Sequence, residues 1–190
     1  MTAILKVDTI QDTAGNNIIN ESSDTITIGA SGDTIALAGT TVTGITQGVT
    51  MADSWRVSAN ATFNGSADIT SNWERTDTDS YGTIGSAMAQ SSGIFTFPAT
   101  GIYLVLSQLM ALPDGVRQYV GHRFNVTANN SSYSIASESM QHATATNNYI
   151  CSNSSFIVDV TNTSNVKVKL SYGSSGSASV LGNTAETYTG

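Results

Sequence analysis

Aromatic residues are missing from the first 54 positions of this 190-residue sequence. All of its 5 Phe, 2 Trp and 7 Tyr residues lie at or after Trp55. Aromatic side chains bury the largest areas, so a segment without them has little from which to build a core of its own. The sequence therefore predicts that this leading arm completes its core with other copies of itself, giving an oligomeric, fibre-like protein. A flexible tether with incidental alternation is the alternative.

Charged residues are also scarce, at 11% of the chain against roughly 25% in an average soluble protein. The 7 Lys and Arg residues are outnumbered by 14 Asp and Glu residues, for a net charge of −7. A phosphate backbone would be repelled, which excludes nucleic acid as a partner. Because β-branched residues and turn formers take the place of helix formers, we expect an all-β chain.

Cysteine occurs once, at Cys151, which excludes an intrachain disulfide and a cysteine-based zinc motif. No apolar run approaches the roughly 20 residues of a membrane span, and no leader-like start is visible, so we expect neither membrane insertion nor export from the producing cell. Nucleophile elbows, phosphate loops and dinucleotide fingerprints are also missing. The sequence predicts no cofactor, no metal and no enzymatic activity.

The arm, predicted to span residues 1–50, repeats an Asp-Thr-Ile phrase at residues 8–10, 24–26 and 33–35. Small aliphatic residues alternate with polar or small ones after the second and third copies, as period-2 strands do. The third copy follows the second by one short strand and a turn, which is typical of a β-solenoid or an intertwined stalk. The candidate trimer and anchor residues are Ile10, Ile26, Ile28, Ile35 and Leu37.

The remaining residues, 51–190, alternate like a series of short strands and predict a β-sandwich or jelly roll. Residues 102–107 are apolar on both faces, which predicts a central strand covered on both sides. Residues 156–160 and 166–170 predict a hairpin. The other predicted strands are residues 55–63, 69–75, 81–89, 94–97, 119–127, 133–140 and a last strand near 180–188.

Residues 93–105, Gly-Ile-Phe-Thr-Phe-Pro-Ala-Thr-Gly-Ile-Tyr-Leu-Val, resemble the signature of complement globular-head and tumour-necrosis-factor-like jelly rolls. Phe95, Pro98, Gly101 and Tyr103 match that signature, and Val105 replaces its usual Phe. The family closes with a Tyr-x-Gly-Phe-like strand, of which residues 188–190 contain the beginning. The resemblance covers residues 55–190 and implies a trimeric jelly-roll head.

The arm resembles a phrase common in tail-fibre and other virion appendage proteins of marine bacteriophages, carried by residues 4–12, 15–21 and 26–29. This resemblance implies a homotrimeric virion structural protein: a tail fibre, head fibre or decoration protein assembled in the host cytoplasm. Its implied partners are capsid, tail or baseplate proteins and a host-surface glycan or protein. The alternatives are a secreted or surface-bound bacterial adhesion module and, third, a fibre-borne glycan depolymerase.

A few side chains invite sharper hypotheses. His122 and Cys151 would suit a Cys–His nucleophile, but their apolar neighbours favour a packed or interface histidine and a small core cysteine. Three nearby carboxylates could contribute oxygen ligands to a calcium ion, but they lack the spacing of an EF-hand loop; they belong to Glu74, Asp77 and Asp79. Aromatic residues with polar neighbours are candidates for receptor contact or for packing, and these are Trp73, Tyr81, Tyr119, Tyr133 and Tyr149.

Overall fold

The computed structural model describes residues 48–78 and 81–190, and over these residues the protein is all-β. The predicted arm residues Ile10, Ile26, Ile28, Ile35 and Leu37 lie outside the described residues, as does most of the predicted 1–50 domain. The strands are β1 (Trp55–Val57), β2 (Ala61–Asn64), β3 (Ala67–Asp68), β4 (Trp73–Arg75), β5 (Ala89–Ser91), β6 (Ile94–Thr96), β7 (Gly101–Pro113), β8 (Arg117–Thr127), β9 (Ser134–Ala143), β10 (Ile150–Val160), β11 (Lys167–Ser174) and β12 (Ser177–Val180).

Two antiparallel sheets form the body of the fold. One has the order β10-β7-β12-β2, and the other has the order β5-β6-β11-β8-β9, with β3 also paired to β11. From β6 onward the chain crosses between the sheets at nearly every connection, since β6, β8, β9 and β11 lie in one sheet and β7, β10 and β12 in the other. This order is that of a jelly roll, which confirms the predicted fold class for the described residues.

The core fills the space between the two sheets and comes from one face of each strand. Its buried hydrophobic residues include Val57, Phe95, Leu109, Phe124, Val158, Val168 and Tyr172. Trp55 and Trp73 both pack edge-on against Phe95, with ring centroids 5.5 and 4.9 Å away. Aromatic packing of this kind anchors the short β1–β4 ribbon to the larger sheets.

Strands β5 and β6 are joined by a tight hairpin turn. Ser91 pairs with Ile94, and the two residues between them, Ser92 and Gly93, have φ angles of 51° and 76°. Two positive φ angles in a two-residue loop are typical of the turn whose twist matches that of the adjoining strands. A Cβ atom on Gly93 would meet the carbonyl oxygen of Ile69, so both backbone strain and space require glycine there.

The predicted hairpin of residues 156–160 and 166–170 is wrong. Strand β10 pairs with β7, whereas β11 pairs with β6, β8 and β3 in the opposite sheet. The connection between them is therefore an arch across the sandwich. The two strands alternate in the same way because each buries one face, whichever sheet it belongs to.

Other strand predictions need shortening. Residues 55–63 form two strands, β1 and β2, instead of one. Most of residues 81–89 is irregular, apart from an isolated bridge between Ala52 and Ile84 and the start of β5. The predicted last strand also divides: β12 ends at Val180, and Thr189 and Gly190 then return to lie between β1 and β7 through bonds to Val57 and Gln108.

Candidate functional site

The outer face of β7 and β10 carries a contiguous group of large aliphatic side chains. Ile102, Leu104 and Leu106 alternate along β7 and are 69%, 65% and 67% exposed, and Ile157, opposite Leu104 on β10, is 71% exposed. We call these four residues the outer apolar stripe. Single exposed leucines are ordinary on protein surfaces, but adjacent ones forming a patch are typical of an interaction site.

The stripe corrects the prediction that residues 102–107 form a doubly covered strand. The inward face of β7 is covered, with Leu109 and Ala111 fully buried and Tyr103 and Val105 packed against the core. The outward face is exposed, because among the described residues no layer lies over it. Both faces are apolar, but none of the described residues covers the outer one.

A cleft of about 1330 Å³ opens between the sheets beside β7. One wall is aromatic and the other is rich in serine, an uncommon lining for the interior of a sandwich. The aromatic residues are Trp55, Trp73, Phe95, Phe97, Tyr103 and Phe124, and the serine wall is formed by Ser107, Ser137, Ser139 and Ser154, with Ser54 and Ser155 also in the lining. A mixture of aromatic faces and hydroxyl groups can accept an apolar group and orient a polar one.

His122 sits fully buried behind the serine wall. Its Nε2 lies 2.6 Å from Ser107 Oγ, and its Nδ1 lies 2.6 Å from Ser152 Oγ, so both ring nitrogens have partners. Burial lowers the pKa of His122 to about 4, which keeps the imidazole neutral at pH 7. A neutral ring held between two hydroxyls satisfies its own hydrogen bonds but is a weak base, and Ser152 supplies no carboxylate to stabilise an imidazolium.

The prediction that His122 is a packed histidine is therefore confirmed. The prediction that Cys151 is a small core residue is wrong. Cys151 is exposed on the outward face of β10, opposite Met110, while His122 points inward from the other sheet. Neighbouring strand residues point to opposite faces, and Ser152, one position later, takes the inward place. The two side chains do not form a nucleophile pair.

The acidic group at residues 74–79 is engaged by an arginine. Arg56, buried in β1, donates hydrogen bonds from Nη2 to Glu74 at 2.6 Å and to Asp77 at 2.7 Å. Asp79 lies outside the described residues. Among the residues that the structure describes, no cluster of three or more metal-ligating side chains is found.

A second ion pair anchors the segment before β1. The buried carboxylate of Asp53 accepts hydrogen bonds from Arg75, from the Trp55 indole and from the Met88 amide. Burial alone would raise the pKa of Asp53, but these hydrogen bonds outweigh it and hold the pKa below its ordinary value. The hydrogen bond to Asp53 therefore fixes the indole of Trp55, which lines the cleft.

The residues of the jelly-roll signature lie together where β6 turns into β7. Phe95 and Phe97 are buried, Phe97 packs on Tyr103 with ring centroids 4.7 Å apart, and Tyr103 donates a hydrogen bond to the carbonyl of Ala99 at 2.9 Å. Pro98 and Gly101 lie in the intervening turn and at its end. Their positions are structural, since they fix the direction in which β7 leaves the turn.

The candidate receptor-facing aromatics separate into two groups. Tyr81, Tyr119 and Tyr149 are 53%, 37% and 66% exposed. Trp73 is partly buried and donates from its indole to the Ile69 carbonyl at 2.7 Å, while Tyr133 lies under the ammonium of a lysine. The first group is exposed, whereas Trp73 and Tyr133 are half-buried.

Sequence reasoning missed the serine wall. Its signal is the spacing of Ser137 and Ser139 on β9, with Ser154 on β10, at positions where an ordinary sandwich strand carries aliphatic residues. Without knowing which face of each strand is inward, the same serines fit a solvated surface.

Similarity to known proteins is found among solved structures. No protein-family model matches the chain, and no curated protein matches it. Among solved structures, the crystal structure of murine APRIL at pH 5.0 is similar, with a TM-score of 0.49 and 11% sequence identity over 69% of this chain and 98% of that chain. Among the described residues, no helix is long and apolar enough to cross a membrane.

Proposed function

We propose that this protein is a non-enzymatic virion structural protein, a tail fibre, head fibre or decoration protein, with homotrimeric jelly-roll heads. The arm, residues 1–50, attaches it to a capsid, tail or baseplate component. The head, residues 51–190, projects for host-surface binding or reinforces the particle. The resemblance of the arm to marine bacteriophage appendage proteins supports the virion assignment, and the outer apolar stripe supports self-assembly.

The stripe is the observation that carries the assembly proposal. Each of its side chains is about two thirds exposed. Burying one of these side chains in an interface would therefore contribute about 1–2 kcal/mol to the free energy of association. The residues opposite Leu106 and Ile102 on β10, Ser155 and Asp159, are polar and border the stripe. An apolar centre with a polar rim is typical of the contact between subunits.

A stripe on the sheet of one protomer suits a symmetric oligomer, because the same patch recurs on every copy. Three copies follow from the resemblance of the head to trimeric jelly rolls and from the need of three aromatic-free arms to share small aliphatic residues. Many weak contacts from trimers arrayed on a particle would add up to firm attachment, so each head needs only modest affinity.

Assembly is tested by the mass of the full-length protein in sedimentation equilibrium. We expect about 59 kDa, three copies of 19.8 kDa, and a shift toward the single-copy mass for Ile157→Asp. The matched control is Ile135→Asp, which alters a half-exposed residue on the other sheet and should leave the trimer intact. A wild-type mass of one or two copies at micromolar concentration contradicts the trimer.

The virion role is tested by deleting residues 1–48. We expect the shortened head to remain soluble and to be lost from purified particles, as measured by mass spectrometry of the virion proteins. If the shortened head joins particles at full occupancy, the role given to the arm is wrong. Binding of labelled full-length trimer to host cells, with and without glycan removal, then separates receptor binding from reinforcement.

A further inference from the structure

A small polar hollow lies on the outer face of the sheet that contains β8 and β11, on the side of the sandwich opposite the outer apolar stripe. His122, Phe124 and Leu170 point inward and are buried, so the alternate residues of these two strands point outward. The hollow has a volume of about 180 Å³. We call it the polar hollow, and its lining consists of Ser66, Ala67, Asp68, Arg123, Asn125 and Ser171.

Strand pairing places the charged residues of this face in one row. Ser171 on β11 is directly opposite both Asp68 on β3 and Arg123 on β8. Arg123 is in turn directly opposite Glu138 on β9. Directly opposite residues of an antiparallel pair have side chains on the same face. The row therefore has a carboxylate at each end and a guanidinium between them.

The acceptor side of the polar hollow is fixed in place. Asp68 accepts hydrogen bonds from Lys169 Nζ at 2.6 Å and from Ser171 Oγ at 2.5 Å, and Ser171 Oγ accepts one from Asn125 Nδ2 at 2.6 Å. Burial alone would raise the pKa of Asp68, but its hydrogen bonds and the charge of Lys169 hold the pKa below its ordinary value. The carboxylate is therefore ionised at pH 7. Each of its oxygens can accept a further hydrogen bond.

The donor side of the polar hollow is Arg123. Its Nε is buried and has no hydrogen-bond partner among residues 48–78 and 81–190. Its Nη2 lies 3.7 Å from the carboxylate of Glu138, which is beyond hydrogen-bond distance. The side chain is 24% exposed, so part of the guanidinium is open to solvent. Because a donor without a partner costs free energy, this arginine favours a ligand that brings oxygen acceptors.

The lining of the polar hollow selects the chemical class of that ligand. It contains one cation, Arg123, and one carboxylate, Asp68, and its only apolar side chain is that of Ala67. Two neighbouring hydroxyl groups satisfy both charged residues at once, because one donates to the carboxylate while the other accepts from the guanidinium. An anion would be repelled by Asp68, and an apolar group would desolvate both charges. The volume is below the roughly 300–1,000 Å³ of pockets for drug-sized ligands, so the hollow suits a single small ring.

The polar hollow is separate from both ends of the described chain. Gly48 and Gly190 both line the cleft beside β7, and none of the six residues of the polar hollow does. Gly190 is bonded to Gln108 in the other sheet. Any chain that continues from either end therefore leaves from the cleft and not from the polar hollow, which favours a separate molecule as the ligand of the hollow.

We propose that the polar hollow binds one neutral sugar unit of a host-surface glycan through two neighbouring hydroxyl groups, one donating to Asp68 and the other accepting from Arg123. This inference rests on the proposed function and names its ligand class. Packing at the outer apolar stripe leaves the opposite face open, so every subunit of the assembly presents its own hollow. Several copies on one particle then allow each sugar contact to be weak.

The test uses the full-length, isotope-labelled protein and follows two NMR signals, the Nε–H of Arg123 and the Nδ2–H of Asn125. The probes are the methyl glycosides of mannose, galactose, glucose and N-acetylglucosamine, each added to roughly 50 mM, well above a millimolar Kd. Tetrahydropyran-2-methanol is the matched control ligand, because it keeps the ring but has no neighbouring hydroxyls. Inorganic phosphate tests whether the site prefers an anion.

We expect at least one glycoside to shift both signals and to reach saturation, and tetrahydropyran-2-methanol to shift neither. Arg123→Gln should weaken binding of that glycoside at least tenfold, because hydrogen bonds from a charged donor are lost. Lys167→Gln is the matched control variant: it removes a positive charge from the same face of β11 but outside the polar hollow, and it should bind like the wild type. The titration of the wild type needs no variant, so it decides the question even if Arg123→Gln is unstable.

Three results overturn the proposal: no glycoside shifts the two signals, tetrahydropyran-2-methanol shifts them equally, or phosphate binds more tightly than every glycoside. All are measured on the isolated protein and do not depend on particles. Loss of sugar binding by a protein that is found in virions would contradict the polar hollow alone. Sugar binding by a protein that is absent from virions would support the hollow and contradict the virion role.

Discussion

The buried His122 makes the stability of this protein depend on pH in a defined window. The pKa of a histidine in an unfolded chain is about 6.5, and burial lowers that of His122 to about 4 in the folded protein. Between these values the unfolded chain binds a proton that the folded protein does not. The stability that the neutral His122 contributes should therefore be complete above pH 6.5. It should decrease as the pH falls from 6.5 to about 4, where the loss levels off.

The magnitude follows from the two pKa values. The slope approaches about 1.4 kcal/mol per pH unit inside the window. Between pH 7 and pH 4.5 the loss should be roughly 2 kcal/mol, a substantial part of the 5–15 kcal/mol typical of folded domains. The carboxylates of Asp53 and Asp68, whose pKa values are held below 3.8, contribute stability that is lost only below about pH 4.

Urea unfolding at pH 7.0, 6.0, 5.0 and 4.5, at one fixed protein concentration, measures this loss. His122→Gln keeps a polar side chain between Ser107 and Ser152 but removes the titrating ring, so we expect a less stable protein whose stability hardly changes across the window. His142→Asn is the matched control, because His142 is the only other histidine and is exposed on β9. It should keep the wild-type slope.

Two results would refute this reasoning. One is an unchanged slope in His122→Gln, which would place the proton elsewhere. The other is a measured pKa near 6.5 for the His122 ring in the folded protein by NMR, which would mean that water reaches the serine wall and that the ring is not desolvated.

The remaining predictions concern packing around the core. Asp53→Asn should lower the free energy of unfolding by about 2 kcal/mol at pH 7, because Arg75 then bonds to a neutral amide. Because the pKa of Asp53 is held below its ordinary value, the difference between the variant and the wild type should shrink only as the pH falls through that lowered pKa, as measured by urea titration over a series of acidic pH values. Gly121→Ala should cost roughly 2–3 kcal/mol, because its Cβ would meet the Ser139 carbonyl oxygen of the neighbouring strand. Gly82→Ala, with nothing within 4 Å, should leave the thermal midpoint unchanged, and equal midpoints for both alanine variants would contradict the close approach of β8 and β9.

Alternation along the sequence was enough to predict most of the long strands. Residues 119–127 and 133–140 were predicted close to the bounds of β8 and β9, because one face of each strand must be buried. Pairing was less accessible: residues 156–160 and 166–170 have the pattern of a hairpin but belong to opposite sheets. A turn that reverses the chain within one sheet and an arch that crosses the sandwich place the same demand on local sequence, so only long-range contacts decide between them.

The candidate site was predictable in part. Residues 102–107 showed two apolar faces in the sequence, and the jelly-roll signature located the turn that starts β7. The sequence could not show that the outward face is exposed, since this depends on which elements lie over it. His122 was correctly placed in packing, whereas Cys151 was not, because one position along a strand reverses the face.

The side chains of Ile102, Leu104 and Leu106 and their backbone groups point in different directions, so the outer apolar stripe and the hydrogen bonding of β7 are separate features. The side chains stand perpendicular to the sheet, whereas the N–H and C=O groups lie in its plane. Under the proposed assembly, a subunit packed face to face covers the side chains and leaves the strand pairing unchanged. Ile157 lies on the same face on the neighbouring strand β10, opposite Leu104, so Ile157→Asp changes the face while keeping the backbone pairing of β7 with β10.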